Sequence, residues 1–321
     1  MLLEADYTGS ITVHDALAAQ LSPPALLAQT AGTSNSAASQ TQVPNPFYGV
    51  LPLSSQLGGT KTIPLAALFS AFPQFNGVTE SNFPVARYRY DSLQIRLEKR
   101  VLDVAPAGIL SFVFSYALSK SFSADHRLNP WNFAGPTAEA PIHELSPGDR
   151  PNILGLAGTW DLPLGWGRRY WSGVNSFWGT FVNSWTVDWV YTYISGTPVA
   201  VPNAIFTCAS YTAPGGSSPQ EWFNNNRACY QARPFLSVRT GPDVFSNIRT
   251  PAAGQLNLAV SKLFWINDRI STQLRADAYN VTNTPILPGP STDFTDPRFG
   301  QLPLTQINVP RYFTIGLRLA F

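Results

Sequence analysis

Two short stretches of the chain carry residue types that could do chemistry. Ser123-Ala124-Asp125-His126 places a hydroxyl, a carboxylate and an imidazole together, which are the groups of a nucleophilic hydrolase. A triad depends on geometry in space, and adjacency in sequence does not supply it. We therefore expect these residues to be solvent-facing polar side chains of a loop.

His143 and Glu144 offer two metal-binding side chains, but no helix or second ligand pair accompanies them. Gly58-Gly59-Thr60-Lys61-Thr62 is similar to a phosphate-binding loop, yet it lacks the first glycine at the required spacing and a preceding strand. We expect no catalytic site, no cofactor and no metal site, and therefore no enzyme.

The last stretch of the chain has the clearest structural pattern. Every second residue is large and apolar: Phe313, Ile315, Leu317, Leu319 and Phe321. Small, polar or charged residues alternate with them: Tyr312, Thr314, Gly316, Arg318 and Ala320. About eleven residues rising ~3.3 Å each, tilted near 40°, cross roughly 28 Å, close to the apolar band of an outer-membrane barrel. The stretch predicts a membrane strand whose apolar face meets lipid.

The composition favours a β-protein whose surface is not wholly in water. The 321 residues are 44% hydrophobic and only 12% charged, whereas an average soluble domain is roughly 25% charged. A net charge of +2 without a Lys/Arg-rich run gives no reason to expect a nucleic-acid partner. No apolar run is long enough for a helical membrane span.

Period-two alternation recurs along the chain and predicts eight strands. They cover approximately residues 2–9, 92–101, 109–121, 153–162, 184–195, 255–266, 271–281 and 311–321. The sixth is less regular, because Lys262 falls in phase with apolar residues. The fold class is all-β, with antiparallel transmembrane barrel strands and long external loops.

The connections between these strands alternate between long and short. The long ones are about 10–90, 122–152, 197–253 and 283–310, and all fall on one side, as the external loops of outer-membrane barrels do. Short helical turns are predicted near residues 16–20 and 65–69 in the first loop.

Two further groups of side chains have predicted positions in such a barrel. Aromatic residues of one short connection would form an interfacial girdle: Trp166, Tyr170, Trp171, Phe177, Trp178 and Phe181. Inward charges could form ladders across a lumen or line a route for solute: Glu4, Asp6, Arg96, Glu98, Asp188, Arg275, Asp277 and Arg318.

The two cysteines, Cys208 and Cys229, are too few for a disulfide scaffold and lack metal-type spacing. In an oxidising compartment they could close a loop of about twenty residues, worth about 3 kcal/mol. Two unpaired thiols are the alternative. We favour the bridge, because both lie in the same polar loop.

Met1-Leu2-Leu3-Glu4-Ala5-Asp6 lacks the charged and apolar regions of a signal peptide. Since a membrane strand needs such an address, we expect residues 1–321 to be the C-terminal part of a longer protein.

Several motifs, taken in order, resemble a known family. They are Arg89-Tyr90-Asp91-Ser92-Leu93-Gln94-Ile95-Arg96-Leu97-Glu98-Lys99-Arg100, Ser115-Tyr116-Ala117-Leu118-Ser119-Lys120-Ser121, Leu162-Pro163-Leu164-Gly165, Gly167-Arg168-Arg169, Tyr193-Ile194-Ser195-Gly196-Thr197-Pro198, Arg275-Ala276-Asp277-Ala278-Tyr279-Asn280-Val281-Thr282-Asn283, Phe299-Gly300-Gln301 and the segment 310–321. Together they resemble the C-terminal barrel half of TonB-dependent outer-membrane receptors. Specifically, they resemble the large Oar-like subgroup, which carries an N-terminal carboxypeptidase-regulatory-like domain.

This resemblance implies a barrel of about twenty-two strands around a plug, with uptake driven by contact with TonB. It also implies that the barrel-assembly machinery reads the terminal Phe321 strand. The plug, the TonB-contact segment, the regulatory domain and the leader have no counterpart in these residues. TonB would therefore act only through a plug outside residues 1–321.

The leading hypothesis is thus the C-terminal barrel portion of a TonB-dependent transporter-like protein. It would lie in the cell outer membrane among lipid, with external loops that contribute to substrate capture in the parent. A stand-alone eight-strand barrel, acting as an adhesin or structural anchor, is one alternative. A soluble carbohydrate-binding β-sandwich with Trp and Tyr stacking platforms is another. The solute, and whether the eight strands close on themselves, stay open.

Overall fold

The computed structural model describes residues 1–20, 40–53, 55, 57–68, 72, 78–104, 108–129, 140–234, 239–267 and 269–321. Within these ranges, eight long strands form one antiparallel sheet in chain order. They are β1 (Leu2–Gln20), β2 (Thr79–Val104), β3 (Gly108–Ala124), β4 (Asn152–Asp161), β5 (Trp185–Ile194), β6 (Ala253–Trp265), β7 (Ser271–Tyr279) and β8 (Tyr312–Ala320). The sheet begins at β1 and ends at β8, and these two edge strands do not pair with each other.

Short elements lie in the connections. Two-stranded ribbons pair Gln42–Pro44 with Thr62–Pro64, Pro198–Ala200 with Val244–Arg249, and Ile205–Phe206 with Tyr230–Gln231. Glu144–Leu145 pairs with the outer end of β3. In the described part of the chain, helices cover Leu65–Leu68 and Ser176–Val182, and a 3₁₀ turn covers Arg227–Cys229. Neither helix in the described ranges has the length and apolar character needed to cross a membrane.

The strand register keeps one polar and one apolar face across the whole sheet. Opposed residues of antiparallel strands project to the same face. One such row runs through Glu4, Arg96, Ser115, Gly155 and Thr192. The adjacent row runs through Ala5, Ile95, Tyr116, Leu154 and Tyr193. A slip of one residue would reverse every side chain of a strand, so the alternation itself specifies the register.

Charged side chains bound the apolar face at both ends. Asp91 and Lys120 oppose each other toward the long-loop end of β2 and β3. Residues 110–118 of β3 separate this row from the short-turn end, and nine residues tilted near 40° cover about 23 Å. The apolar face therefore approaches the height of a bilayer core, with Lys99 of β2 opposite Phe112 near its short-turn end.

Lys262 marks the opposite boundary, near the short-turn end of β6. Its ammonium donates to the carbonyl oxygen of Asn183 and lies 4.9 Å from the centre of the Phe264 ring. A lysine at a membrane interface buries its methylene stem and holds its charge at the polar boundary. This position explains how Lys262 can fall in phase with apolar residues.

No second layer of described residues covers the apolar face. Leu118 of β3 is 47% exposed and Leu274 of β7 is 40% exposed, although strands flank both. On the edge strand β8, Phe313, Ile315, Leu317 and Leu319 are 57–79% exposed. The β-sandwich alternative is therefore wrong, because a sandwich buries this face under another sheet.

Eight predicted strands are confirmed, but several are longer than the alternation indicated. β1 continues to Gln20 and β2 begins at Thr79, so the first external loop spans 21–78 rather than 10–90. The helical turn predicted near residues 16–20 is wrong, because Leu17 pairs with Phe83 and Gln20 with Thr79. Cross-strand pairing here outweighs the helix propensity of Ala, Leu and Gln. The turn predicted near 65–69 is present as Leu65–Leu68, and Phe69 lies outside the described residues.

Candidate functional site: the external loops and the polar face

The buried hydrophobic core of the protein lies in the external loops. Its members come from the segments 195–252 and 280–311: Val199, Ala204, Phe223, Cys229, Tyr230, Phe245, Ile248 and Phe299. Phe223 is 0% exposed, and its ring centre lies 5.2 Å from that of Phe299. The two loops thus pack into one folded body above the sheet.

A covalent link and close backbone contacts fix this body. Cys208 and Cys229 form a disulfide beside the ribbon of Ile205–Phe206 and Tyr230–Gln231. At the root of the loop, a Cβ on Gly196 would collide with the carbonyl oxygen of Thr250. The glycine therefore allows the two ends of the segment to approach each other.

A buried ion pair joins the loop after β3 to the loop after β5. Nη2 of Arg249 lies 2.5 Å from Oδ2 of Asp149, and Nη1 donates to the carbonyl oxygens of Asp149 and Gly196. The other carboxylate oxygen of Asp149 accepts from the backbone N–H of Ser121 at 2.6 Å. Both oxygens of the buried carboxylate have hydrogen-bond partners. The ion pair therefore holds the two loops together firmly.

A second polar cluster joins the same two loops around His126. Nε2 of His126 lies 2.8 Å from Oδ2 of Asp243 and 3.3 Å from Oε1 of Glu144, while Nδ1 lies 3.0 Å from Asp125. Arg239 forms an ion pair with the second oxygen of Asp243. The hydrogen bond with Asp243, joined by the nearby carboxylates, raises the pKa of His126 to about 9.

This cluster corrects the prediction that Ser123 and His126 are solvent-facing loop residues, because Ser123 is buried in β3 and His126 is only one-third exposed. Glu144 is 6% exposed and sits opposite Ser123 in a strand pair. No hydrogen bond joins Ser123 to His126 in the described part of the chain, so no triad forms there. His143 does not join the cluster and stacks on Phe122 instead. Sequence reasoning missed Asp243, which lies 117 residues from His126.

A cleft of about 890 Å³ opens beside the His126 cluster. Its wall includes the aromatic residues Phe206, Tyr211 and Phe245 and the cationic residues Arg233 and Arg239. Tyr211 stacks on Phe206 with ring centres 3.8 Å apart, and burial raises the pKa of the Tyr211 hydroxyl. Flat rings and guanidinium groups together suit a ligand with both apolar and anionic parts.

The polar face of the sheet is concave. A cavity of about 500 Å³ on this face is lined by residues of five strands, from Glu98 of β2 to Arg275 of β7. A single cavity can contact strands so far apart only if the sheet curves around it. The polar face is therefore the inner surface of a partial barrel.

The predicted inward charges share this face, and several of them pair. Arg275 bonds to Asp188 at 2.8 Å and to Asp277 at 2.9 Å. Arg96 bonds to Glu98 at 2.8 Å and approaches Glu4 to 3.9 Å. Asp6 on β1 and Arg318 on β8 form no ion pair among the described residues, and both lie on the unpaired edges of the sheet.

Exposed aromatic residues surround the short-turn end. The helix Ser176–Val182 begins where the side chain of Asn175 accepts from the backbone N–H of Trp178. This helix and the residues before it present the predicted girdle residues to the outside: Trp166, Tyr170, Trp171, Phe177, Trp178 and Phe181. The terminal residue Phe321 lies at the same end and is exposed as well.

An antiparallel sheet with a concave polar face, an outward apolar band of bilayer height and folded loops on one side defines a membrane β-barrel protein. A family model described as an outer membrane beta barrel domain matches residues 1–313. The chain belongs to this family and is located in the outer membrane. Comparison with curated proteins and with solved structures gives no match.

Proposed function

We propose that residues 1–321 form the C-terminal part of the barrel of a TonB-dependent transporter-like protein of the Oar-like subgroup. In this proposal the external loops capture solute for uptake by the whole protein, and the chain carries out no catalysis. The observation that carries it is the open sheet, whose edge strands β1 and β8 pair with no further strand among the residues that the structure describes.

An unpaired strand edge is costly inside a bilayer. Each backbone N–H and C=O without a partner in hydrocarbon costs several kcal/mol, which is why membrane sheets close into barrels. Both edges therefore need further strands, and strands from an upstream barrel segment of the parent would cover them. A barrel of that size would also have room for a plug.

The external half of the protein supports a capture role. β2 continues for twelve residues outward of Asp91, and such a length extends about 30 Å beyond the apolar band. Above it lie two loops with their own core, an aromatic and cationic cleft and two ion-pair anchors. A rigid body with a cleft at the membrane surface suits recognition of a solute before uptake.

The proposed partners follow from the same arrangement. Outer-membrane lipid contacts the apolar face, and the barrel-assembly machinery reads the exposed terminal strand that ends in Phe321. TonB would act through a plug supplied by the parent.

Reading the coding sequence upstream of Met1 and expressing the parent from its own locus tests this proposal. The expected result is an in-frame plug with a TonB-contact segment, and solute uptake that is lost without TonB. A leader immediately upstream of Met1, with no plug, would contradict it.

Cysteine cross-linking tests the stand-alone alternative directly. A cysteine replaces Thr8 on β1, and a second cysteine replaces Thr314, Gly316 or Arg318 on β8 in separate variants, so that different registers are sampled. The proposal predicts no intramolecular cross-link in native outer membranes. An efficient cross-link in any of the three variants would show that the eight strands close on themselves.

A further inference from the structure

The His126 cluster carries an inference that does not depend on which solute is captured. We propose that Nε2 of His126, Oε1 of Glu144 and Oδ2 of Asp243 form a Zn²⁺-binding site that joins the loop after β3 to the loop after β5.

The donor atoms have the identity and the spacing that zinc requires. All three lie within 4.8 Å of one another, and Nε2 lies 2.8 Å from Asp243 and 3.3 Å from Glu144. Bonds of about 2.0–2.2 Å in tetrahedral geometry place neighbouring ligands about 3.4 Å apart. Small side-chain shifts are enough to reach this value. One imidazole and two carboxylates favour Zn²⁺ over Ca²⁺ or Mg²⁺, which need six or more oxygen ligands or bound waters.

A buried acceptor atom points into the proposed site. Oε1 of Glu144 is buried and accepts no hydrogen bond from the described residues, although Oε2 accepts from the backbone N–H of Asp243 at 2.7 Å. Nε2 of His126 approaches this oxygen to 3.3 Å without forming a hydrogen bond, and a buried acceptor left in this way is costly. A cation beside His126 would fill this acceptor position.

A carboxylate lies next to the other ring nitrogen of His126, as is usual for a histidine that binds zinc. Asp125 lies 3.0 Å from Nδ1, so it can hold the proton on that nitrogen and turn Nε2 toward the metal. Zn²⁺ must displace the proton from Nε2, and the ion and the proton therefore compete. With a neutral imidazole, the charges of Asp125, Glu144, Asp243, Arg239 and Zn²⁺ sum to zero.

The consequence is a loop body held at two places, by the Asp149–Arg249 pair and by the metal. His126 is one-third exposed, so water can reach the site. The site can thus stiffen the walls of the neighbouring cleft.

Zinc titration of the chelator-treated protein, extracted from outer membranes in detergent, tests the proposal. The expected result is a single equivalent of Zn²⁺ bound, with affinity at least tenfold weaker in Glu144→Gln and 10–100-fold weaker in Asp125→Asn. Glu221→Gln removes the same charge elsewhere on the external loops and should stay within threefold of the unaltered chain. No binding, or equal affinity in Glu144→Gln, would overturn the proposal.

A measurement on the unaltered chain guards against variants whose loops misfold. Diethylpyrocarbonate modifies accessible histidines, and mass spectrometry maps each one. Zn²⁺ should slow modification of His126 at least fivefold and leave His14 on β1 unchanged. Equal modification of His126 with and without Zn²⁺ would overturn the site.

Discussion

Nη1 of Arg275 on β7 lies 2.8 Å from Oδ2 of Asp188 on β5, although β6 runs between them. The residue between them on the same face is Ala259, which pairs with Asp188 on one side and Asp277 on the other. Its small side chain lets the guanidinium cross above the strand. The ion pair thereby ties β5 to β7 across β6 on the concave face.

A double-mutant cycle measures this tie. Arg275→Gln and Asp188→Asn should each destabilise the barrel, with a coupling energy of about 0.5–1 kcal/mol, because partly exposed pairs are screened by water. Urea unfolding in lipid vesicles gives the free energies. Strictly additive effects would show that the pair contributes nothing measurable.

The terminal strand provides a test of lipid exposure by stability. Leu317→Arg should cost about 2–4 kcal/mol if the side chain faces mid-bilayer lipid. Gly316→Ser should be mild, because a Cβ added at Gly316 meets nothing within 4 Å on the opposite face. Unfolding in vesicles compares the stabilities of the two variants. Similar losses of unfolding free energy at both positions would contradict the assignment of Leu317 to the lipid face and Gly316 to the polar face.

The disulfide should stabilise the external loop and leave the sheet unaffected. Replacing Cys208 and Cys229 by serine removes a link that closes a loop of 21 residues, worth about 3 kcal/mol for that loop. The variant should be cut faster by protease in the segment 195–252, with an unchanged heat-induced mobility shift of the barrel on gels. Loss of the folded barrel itself would contradict the prediction that the disulfide stabilises only the external loop.

The loop core should behave like the interior of a soluble protein. Phe223→Ala removes a fully buried ring and should cost about 3–5 kcal/mol of local stability. Phe177→Ala, at a ring that is 66% exposed toward the membrane interface, is the matched control. Hydrogen exchange should accelerate in 195–252 for the first variant only. Unchanged exchange in Phe223→Ala would show that the loops do not depend on this core.

Period-two alternation was sufficient to predict the eight strands and the facing of their side chains. The reason is physical: each strand has one face toward lipid and one toward a polar interior, so composition alternates at every residue. The alternation of long and short connections predicts that all the long ones lie on the external side. Alternation fades where a strand leaves the bilayer, and for this reason the pattern predicts a loop for the outer parts of β1 and β2.

The loop body was beyond prediction from sequence. Phe223 and Phe299 meet across 76 residues without any periodic pattern, and Asp243 reaches His126 from a different loop. Such contacts depend on how two irregular segments pack together. One local signal is present, because Asp125 and His126 directly follow the end of β3 at Ala124.

Spin labels along β8 test the central claim most directly. Single cysteines at positions 313 to 319 are labelled in lipid vesicles, and collisions with oxygen and with a water-soluble nickel complex are measured by electron paramagnetic resonance. Oxygen, which concentrates in lipid, should give maxima at Phe313, Ile315, Leu317 and Leu319, with the nickel complex highest at Thr314, Gly316 and Arg318. Low access of both reagents at the odd positions would place this face inside a protein core and contradict the account.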